Sequence, residues 1–363
     1  MALISKLPGG GGLSKTKPIT TYDIKKSASY GDIIDELITS SSGQTWGAIY
    51  HEEYDTYIKV YALVIESSKC YIKIFTIDST GIHEDNSILI SGASTNPLYE
   101  LSSDKESNLV VMSAIQTNSS TIYCINKNTL AVTTISSPSY NGTVLSFYGA
   151  AIHKGVIYAT ISCNLMQPCL YKYNEDGSII EYIANNSTLI SGNCPPKLDA
   201  EGNIYMTFAG NGTSYTTILS MTNDGTIRWA KTMAELGLSE ALILLDVSDD
   251  GFILCKPRTT TTSIMKFDGN GNRIKTLNFF ASQSWYTYNV KYIKSKELIQ
   301  IQDISGKYCY LCDNDFNKLE TFELTVDNGA PSVAFANDMI IVVRKSGNLK
   351  VETRKPYAEY IKR

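Results

Sequence analysis

Nowhere in the sequence do eighteen apolar residues run together, so no segment is suited to cross a membrane as a helix. Charge of a single sign is also missing. There are 32 Lys+Arg against 36 Asp+Glu, a formal net charge of −4. That balance supplies neither a basic stripe for nucleic acid nor an acidic block for a cationic partner. Histidine is scarce: His51, His83 and His153 are the only three, and none stands in H-E-x-x-H or another metal-binding spacing. G-x-S-x-G and comparable nucleophile frames are absent. The start, Met1 to Pro8, is broken by Lys6 and Pro8 too early to read as a secretory leader. Without such a leader, the eight scattered cysteines read as buried thiols rather than a disulfide framework. Cys309 and Cys312 form a C-x-x-C that lacks the second pair a four-thiolate zinc site needs. On a strand, residues three apart face opposite ways. The expectation is therefore no metal and no cofactor.

The sequence is rich in Tyr, with 24, and in Ser, Thr, Asn and Ile. Such residues suit twisted strands joined by polar turns. One pattern recurs: an apolar residue, any residue, another apolar residue, then a turn residue, often with Gly three positions on. It is seen at Phe75-Thr76-Ile77-Asp78 with Gly81 and at Tyr123-Cys124-Ile125-Asn126. It returns at Tyr171-Lys172-Tyr173-Asn174 with Gly177, and at Leu219-Ser220-Met221-Thr222 with Gly225. Met265-Lys266-Phe267-Asp268 with Gly271 and Tyr310-Leu311-Cys312-Asp313 complete the series. Alternating apolar residues place every second side chain on one face of a strand. Asp or Asn opens the turn through its own side chain, and Gly takes the φ > 0 position that closes it.

A second series of turns opens apolar runs at 108, 155, 202, 251, 297 and 338, with an earlier member near Thr56-Tyr57-Ile58. Two turns per repeat, plus a longer link, make four short strands in about 47 residues, the size of a propeller blade. The fold expected is all-β: a β-propeller of about seven four-stranded blades, with six or eight as alternatives, over residues 43–363. The last repeat is short, so the ring is expected to close with an N-terminal strand around Ile19-Thr20-Thr21-Tyr22. Residues 1–42 read as an extension, and 232–243 as an insertion of one helical turn.

Most apparent sites dissolve into this repeat. Gly9-Gly10-Gly11-Gly12-Leu13-Ser14-Lys15-Thr16 nearly matches a phosphate-binding loop, but Ser14 replaces a required Gly and Pro18 stands where a helix should begin. Asp268-Gly269-Asn270-Gly271-Asn272 opens like a calcium loop, yet Phe279 stands where a bidentate Glu belongs. It reads as a hairpin turn in register with its sisters. A carboxylate pair assembled from different blades stays open. The candidate binding residues are aromatics in or beside loops: Tyr54, Tyr57, Tyr140, Tyr215, Trp285, Tyr286 and Tyr288.

The opening Met1-Ala2-Leu3-Ile4-Ser5-Lys6-Leu7-Pro8-Gly9-Gly10-Gly11-Gly12, ahead of a Tyr-, Ser- and Asn-rich body, resembles virion proteins of tailed phages that infect low-GC bacteria. The repeats are similar to the broad propeller class, without the Trp-Asp ending of WD40 blades or the kelch double glycine. The resemblance implies a non-enzymatic structural component of the tail, fibre or baseplate, made in the host cytoplasm and carried on the virion. Leu3, Ile4, Leu7 and Pro8 would dock it to other virion proteins, and the propeller would meet a host-surface glycan or protein. The alternatives are a bacterial interaction scaffold in the cytoplasm and a carbohydrate-active enzyme.

Overall fold

A computed structural model describes residues 22–26, 33–95, 99–114, 119–162, 167–183, 192–210, 212–259, 263–278, 289–293, 297–302, 308–324, 331–336, 339–355 and 358–362, with side chains throughout except 22–26, 46, 289 and 358–362. The described chain is all-β, without a helix. Seven four-stranded antiparallel sheets form the blades of a propeller. Six are continuous in sequence, numbered here blades 1 to 6, spanning 44–89, 99–136, 146–183, 197–232, 242–278 and 289–323. In each, the first strand is innermost and the fourth outermost. Outermost strands such as Ile179–Ile183 and Arg273–Asn278 are mostly exposed, while second and third strands such as Ile253–Pro257 and Ser263–Phe267 are buried throughout.

Blade 7 closes the ring with strands from both ends of the chain. Ser332–Ala336, Met339–Ser346 and Asn348–Arg354 supply three strands, and Ile33–Ile38 supplies the outermost. The closing strand thus lies later than the 19–22 segment expected from sequence, inside what reads as the extension. Its alternation decides this: Leu37 packs on the blade 7–blade 1 core while Ile38 stays outward. The pairing Ile33↔Arg354 to Ile38↔Lys350 joins residues more than three hundred positions apart. Tyr22–Lys26 pairs separately with Ala358–Lys362. Beneath the closing strand, buried Glu352 accepts from Arg344 Nε at 2.9 Å and from Arg354 Nε at 2.8 Å.

Because the strands alternate in direction, the first and third connections of each blade fall on one end of the disc. Both turn series of the sequence therefore share one face. Its connections run from two residues (154–155) to six (103–108). The opposite face carries the second connections and the links between blades, among them the nine described residues 233–241. On the short-turn face the opening acid staples its own turn. Asp268 Oδ1 accepts from the N–H groups of Asn270 and Asn272, at 2.9 and 2.8 Å, and Gly271 takes φ +76°. Asp313 accepts from Asp315 and Asn317 in the same way. There Phe316, at φ 59°, stands where Gly stands in its sisters.

The 232–243 insertion forms a single hydrogen-bonded turn. Thr232 and Glu235 cap each other reciprocally, with Glu235 Oε2 accepting from Thr232 N at 2.7 Å and Thr232 Oγ1 from Glu235 N at 3.2 Å. Gly237, at φ +63°, ends it before a helix can propagate.

Candidate functional site

Blade 1 is the longest, with three strands of ten residues and one of nine. Its first connection, Tyr54-Asp55-Thr56, sits on the short-turn face. The ring of Tyr54 stacks on that of Tyr57, centroids 4.5 Å apart and 18° from parallel. Tyr54 is held through its hydroxyl by Glu52, which is 2% exposed. Glu52 accepts from Tyr54 OH at 2.6 Å, Tyr50 OH at 3.0 Å and Lys127 Nζ of blade 2 at 2.6 Å. Burial pushes this carboxyl up, but the bonds from Lys127 and the two tyrosines outweigh it and hold the pKa below its ordinary value. Burial and the neighbouring carboxylate push the Tyr54 and Tyr50 hydroxyls up, so both stay protonated donors. Tyr54 remains 39% exposed, so its ring is a fixed aromatic platform open to solvent.

Three depressions lie on this part of blade 1, and Tyr57 lines the second of them. A cleft of about 370 Å³ is lined by Tyr50, His51, Glu52, Glu53, Asp104 and Lys105. On the other side of Tyr57 lies one of about 440 Å³, toward blade 7, whose polar lining includes Asp35, Asp55, Asp78 and Thr80. A third, of about 400 Å³, shares Tyr50, His51 and Glu53 with the first and reaches Lys291 and Gln300 of blade 6. The chemistry on offer is an aromatic surface flanked by carboxylates. It suits holding a segment with basic or hydroxyl groups beside a planar or apolar one.

Further into the channel, four charges from four innermost strands converge. Lys197 of blade 4 pairs with Glu100 of blade 2. Asp246 of blade 5 accepts from Tyr292 N at 2.7 Å, and Lys291 of blade 6 donates to the Ile49 carbonyl at 3.3 Å. Burial would lower the Lys197 pKa, but Glu100 and Asp246 raise it overall. For Lys291 burial prevails and the pKa is lowered. These balanced charges tie blades 2, 4, 5 and 6 across the axis.

Of the aromatics singled out from sequence, Tyr54 and Tyr57 are brought together. Tyr140 and Tyr215 lie on the opposite, long-loop face. Tyr140 sits edge-on to Tyr182 at 5.7 Å, and Tyr215 packs over Gly210 and Gly212. Trp285, Tyr286 and Tyr288, the docking residues Leu3, Ile4, Leu7 and Pro8, and the loop at 9–16 lie outside the described residues. Sequence reasoning missed Glu52, Lys127 and the channel charges. The available signal was ionisable residues on innermost strands, such as Lys291 between Val290 and Tyr292. Among the described residues no group of three His, Cys, Asp or Glu could hold a metal. Cys309 and Cys312 are buried on opposite sides of their strand, in separate core clusters. Burial pushes the Cys312 thiol up to about 12 and Cys309 higher still. The histidines stand apart: His51 is 3.5 Å from Glu53, His83 bonds Thr80 at 2.8 Å, and His153 ends the innermost strand of blade 3.

No protein-family model matches the sequence, and no curated protein matches it either. Solved structures do. A catalytically inactive histidine-to-alanine variant of virginiamycin B lyase from Staphylococcus aureus, with quinupristin, is 12% identical, with a TM-score of 0.59 over 88% of this chain and 98% of that one. A chain of a mitotic checkpoint complex is 9% identical, with a TM-score of 0.56 over 98% and 99%. Sqt1 from Saccharomyces cerevisiae is 12% identical, with a TM-score of 0.55 over 92% and 88%. At these identities the likeness shows the propeller fold alone. None of these structures is a phage protein, and the resemblance to virion proteins rests on residues 1–12 and composition.

Proposed function

We propose that this propeller is a non-catalytic protein-interaction scaffold whose binding site is the short-turn end of blade 1. The Tyr54–Tyr57 stack carries the reading, because Glu52 holds the Tyr54 hydroxyl while that ring stays exposed, and Tyr57 lines the cleft toward blade 7. A preorganised aromatic surface binds without first losing side-chain entropy. The flanking Glu53, Asp55, Asp78 and Asp104 favour a partner segment with Lys or Arg. Asp78, Asp268 and Asp313 bind their own turns, so these acids serve the fold rather than proton transfer. Among the similar structures, the mitotic checkpoint chain belongs to an assembly, in keeping with a scaffold. The lyase likeness raises an enzymatic alternative.

The test is affinity capture from native extract with the intact chain, the Tyr54→Ala/Tyr57→Ala double variant and Tyr140→Ala as control. Partners held by the intact chain and by Tyr140→Ala but lost from the double variant support the reading. Equal capture by all three contradicts it.

A further inference from the structure

The rim of the disc is formed by the outermost strands, and its charge is unevenly distributed. On blades 7 and 1, Ile33–Ile38 and Gly81–Leu89 carry Asp35, Glu36, Glu84 and Asp85 and no Lys or Arg. On blades 4 and 5, Ile227–Thr232 and Arg273–Asn278 carry Arg228, Lys231, Arg273 and Lys275 and no Asp or Glu. The remaining outermost strands hold a single Glu181 on blade 3, and Lys318 with Glu320 and Glu323 on blade 6. Blades 7–1 and 4–5 lie on nearly opposite sides of the seven-membered ring. Two clusters of opposite sign thus face away from each other across one molecule.

Each cluster also carries what an edge contact needs. The outermost strand leaves one row of backbone N–H and C=O groups outside its own sheet. Apolar side chains stand among the charges: Ile33 and Ile34, each 46% exposed, on the acidic rim, and Ile227 at 40% and Ile274 at 52% on the basic rim. Two of the basic groups meet neutral acceptors, while Lys231 acts on the Glu235 carboxyl. Arg228 donates to Tyr205 OH at 3.2 Å and Ser220 Oγ at 3.0 Å, and Lys275 donates to the Asp315 carbonyl. On the acidic rim, Glu36 and Glu84 pair with Lys350 and Lys73 of the strand behind, at 2.8 and 2.5 Å. Asp85 also lies 3.9 Å from Lys59, so the outermost strands carry the carboxylates while their lysine partners sit on strands farther in.

We propose that copies of this chain associate head to tail, the acidic rim of blades 7 and 1 on one against the basic rim of blades 4 and 5 on the next. Like rims repel, which leaves the unlike pairing. Two different patches on each copy make the contact heterologous, so assemblies grow rather than stop at a two-fold dimer. The inference does not depend on the binding role of Tyr54 and Tyr57.

Sedimentation velocity of the full chain tests this across a concentration series. At about 0.01 M salt, where charges act over roughly 30 Å, the mean mass should rise with concentration. At about 1 M salt, where the reach is roughly 3 Å, it should fall to the monomer. Arg273→Glu/Lys275→Glu should be monomeric at low salt, and so should Glu84→Lys/Asp85→Lys, each folded by circular dichroism. Mixing the two variants should restore association, because each supplies the rim the other lost, while Tyr54→Ala/Tyr57→Ala should associate like the intact chain. A monomer at every concentration in low salt, association unaffected by either reversal, no rescue on mixing, or a dimer that grows no further would overturn the proposal.

Discussion

At one end of the disc the connections within blades carry Asp, Asn, Thr or Gly at fixed positions, while the other end carries the links between blades, such as the nine residues 137–145 and the nine residues 233–241, which share no pattern. The first end is built by a rule, the second by individual loops. The exposed, rigid aromatic pair nevertheless lies on the rule-built end, where blade 1 departs from its sisters by placing Tyr54 next to a buried carboxylate. A regular scaffold holds a platform more rigidly than a long loop does, because each neighbouring turn is already fixed by its own hydrogen bonds.

The largest effect that would sharpen this comparison is expected at Glu52. Glu52→Ala removes the acceptor of two tyrosines and leaves the Lys127 ammonium without its carboxylate, at a cost of about 3 kcal/mol or more. Equilibrium urea unfolding would measure it, and a cost under about 1 kcal/mol would break the link between fold and platform. Two glycines then compare the ends directly. A Cβ on Gly271, at φ +76° on the short-turn face, would lie 2.7 Å from Trp229 Cζ3, whose indole N–H already bonds the Gly269 carbonyl at 2.7 Å. Gly237, at φ +63° on the long-loop face, has nothing within 4 Å of that position. Left-handed strain plus overpacking should make Gly271→Ala cost about 3 kcal/mol, against about 1 kcal/mol of strain alone for Gly237→Ala. Equal shifts in melting temperature would deny the difference.

Acid should act on the short-turn end and on blade 7 together. Glu52 and Glu352 both titrate below the ordinary 4.5 when folded. Their stabilisation is complete above that value and is lost as pH falls through the lowered folded pKa. Unfolding free energy should therefore fall as pH drops below about 4.5, and Glu352→Gln should flatten that fall. The smallest effect is expected at one turn: Asp268→Ala gives up two backbone N–H bonds, costing about 1–2 kcal/mol by urea unfolding.

The blades were legible in the sequence because their signals are local. Alternation and an Asp-to-Gly turn lie within a few residues of one another. Closure by an N-terminal strand was legible from the short last repeat, but the strand's position was not, because Ile33–Ile38 pairs with Asn348–Arg354 across the whole chain and alternates like any other strand. That both turn series share one face follows only from counting strand directions. Tyr54 and Tyr57 were visible as aromatics beside a turn. Their support was not, since Glu52 meets Lys127 from another blade, and Glu100, Lys197, Asp246 and Lys291 come from four.

The most direct test of the central claim is hydrogen-exchange footprinting of the intact chain, free and with its captured partner. Protection is predicted at residues 50–58 and 76–83, with none at the 139–144 hairpin that carries Tyr140. Protection confined to that hairpin or to the other described connections of the long-loop face would contradict it.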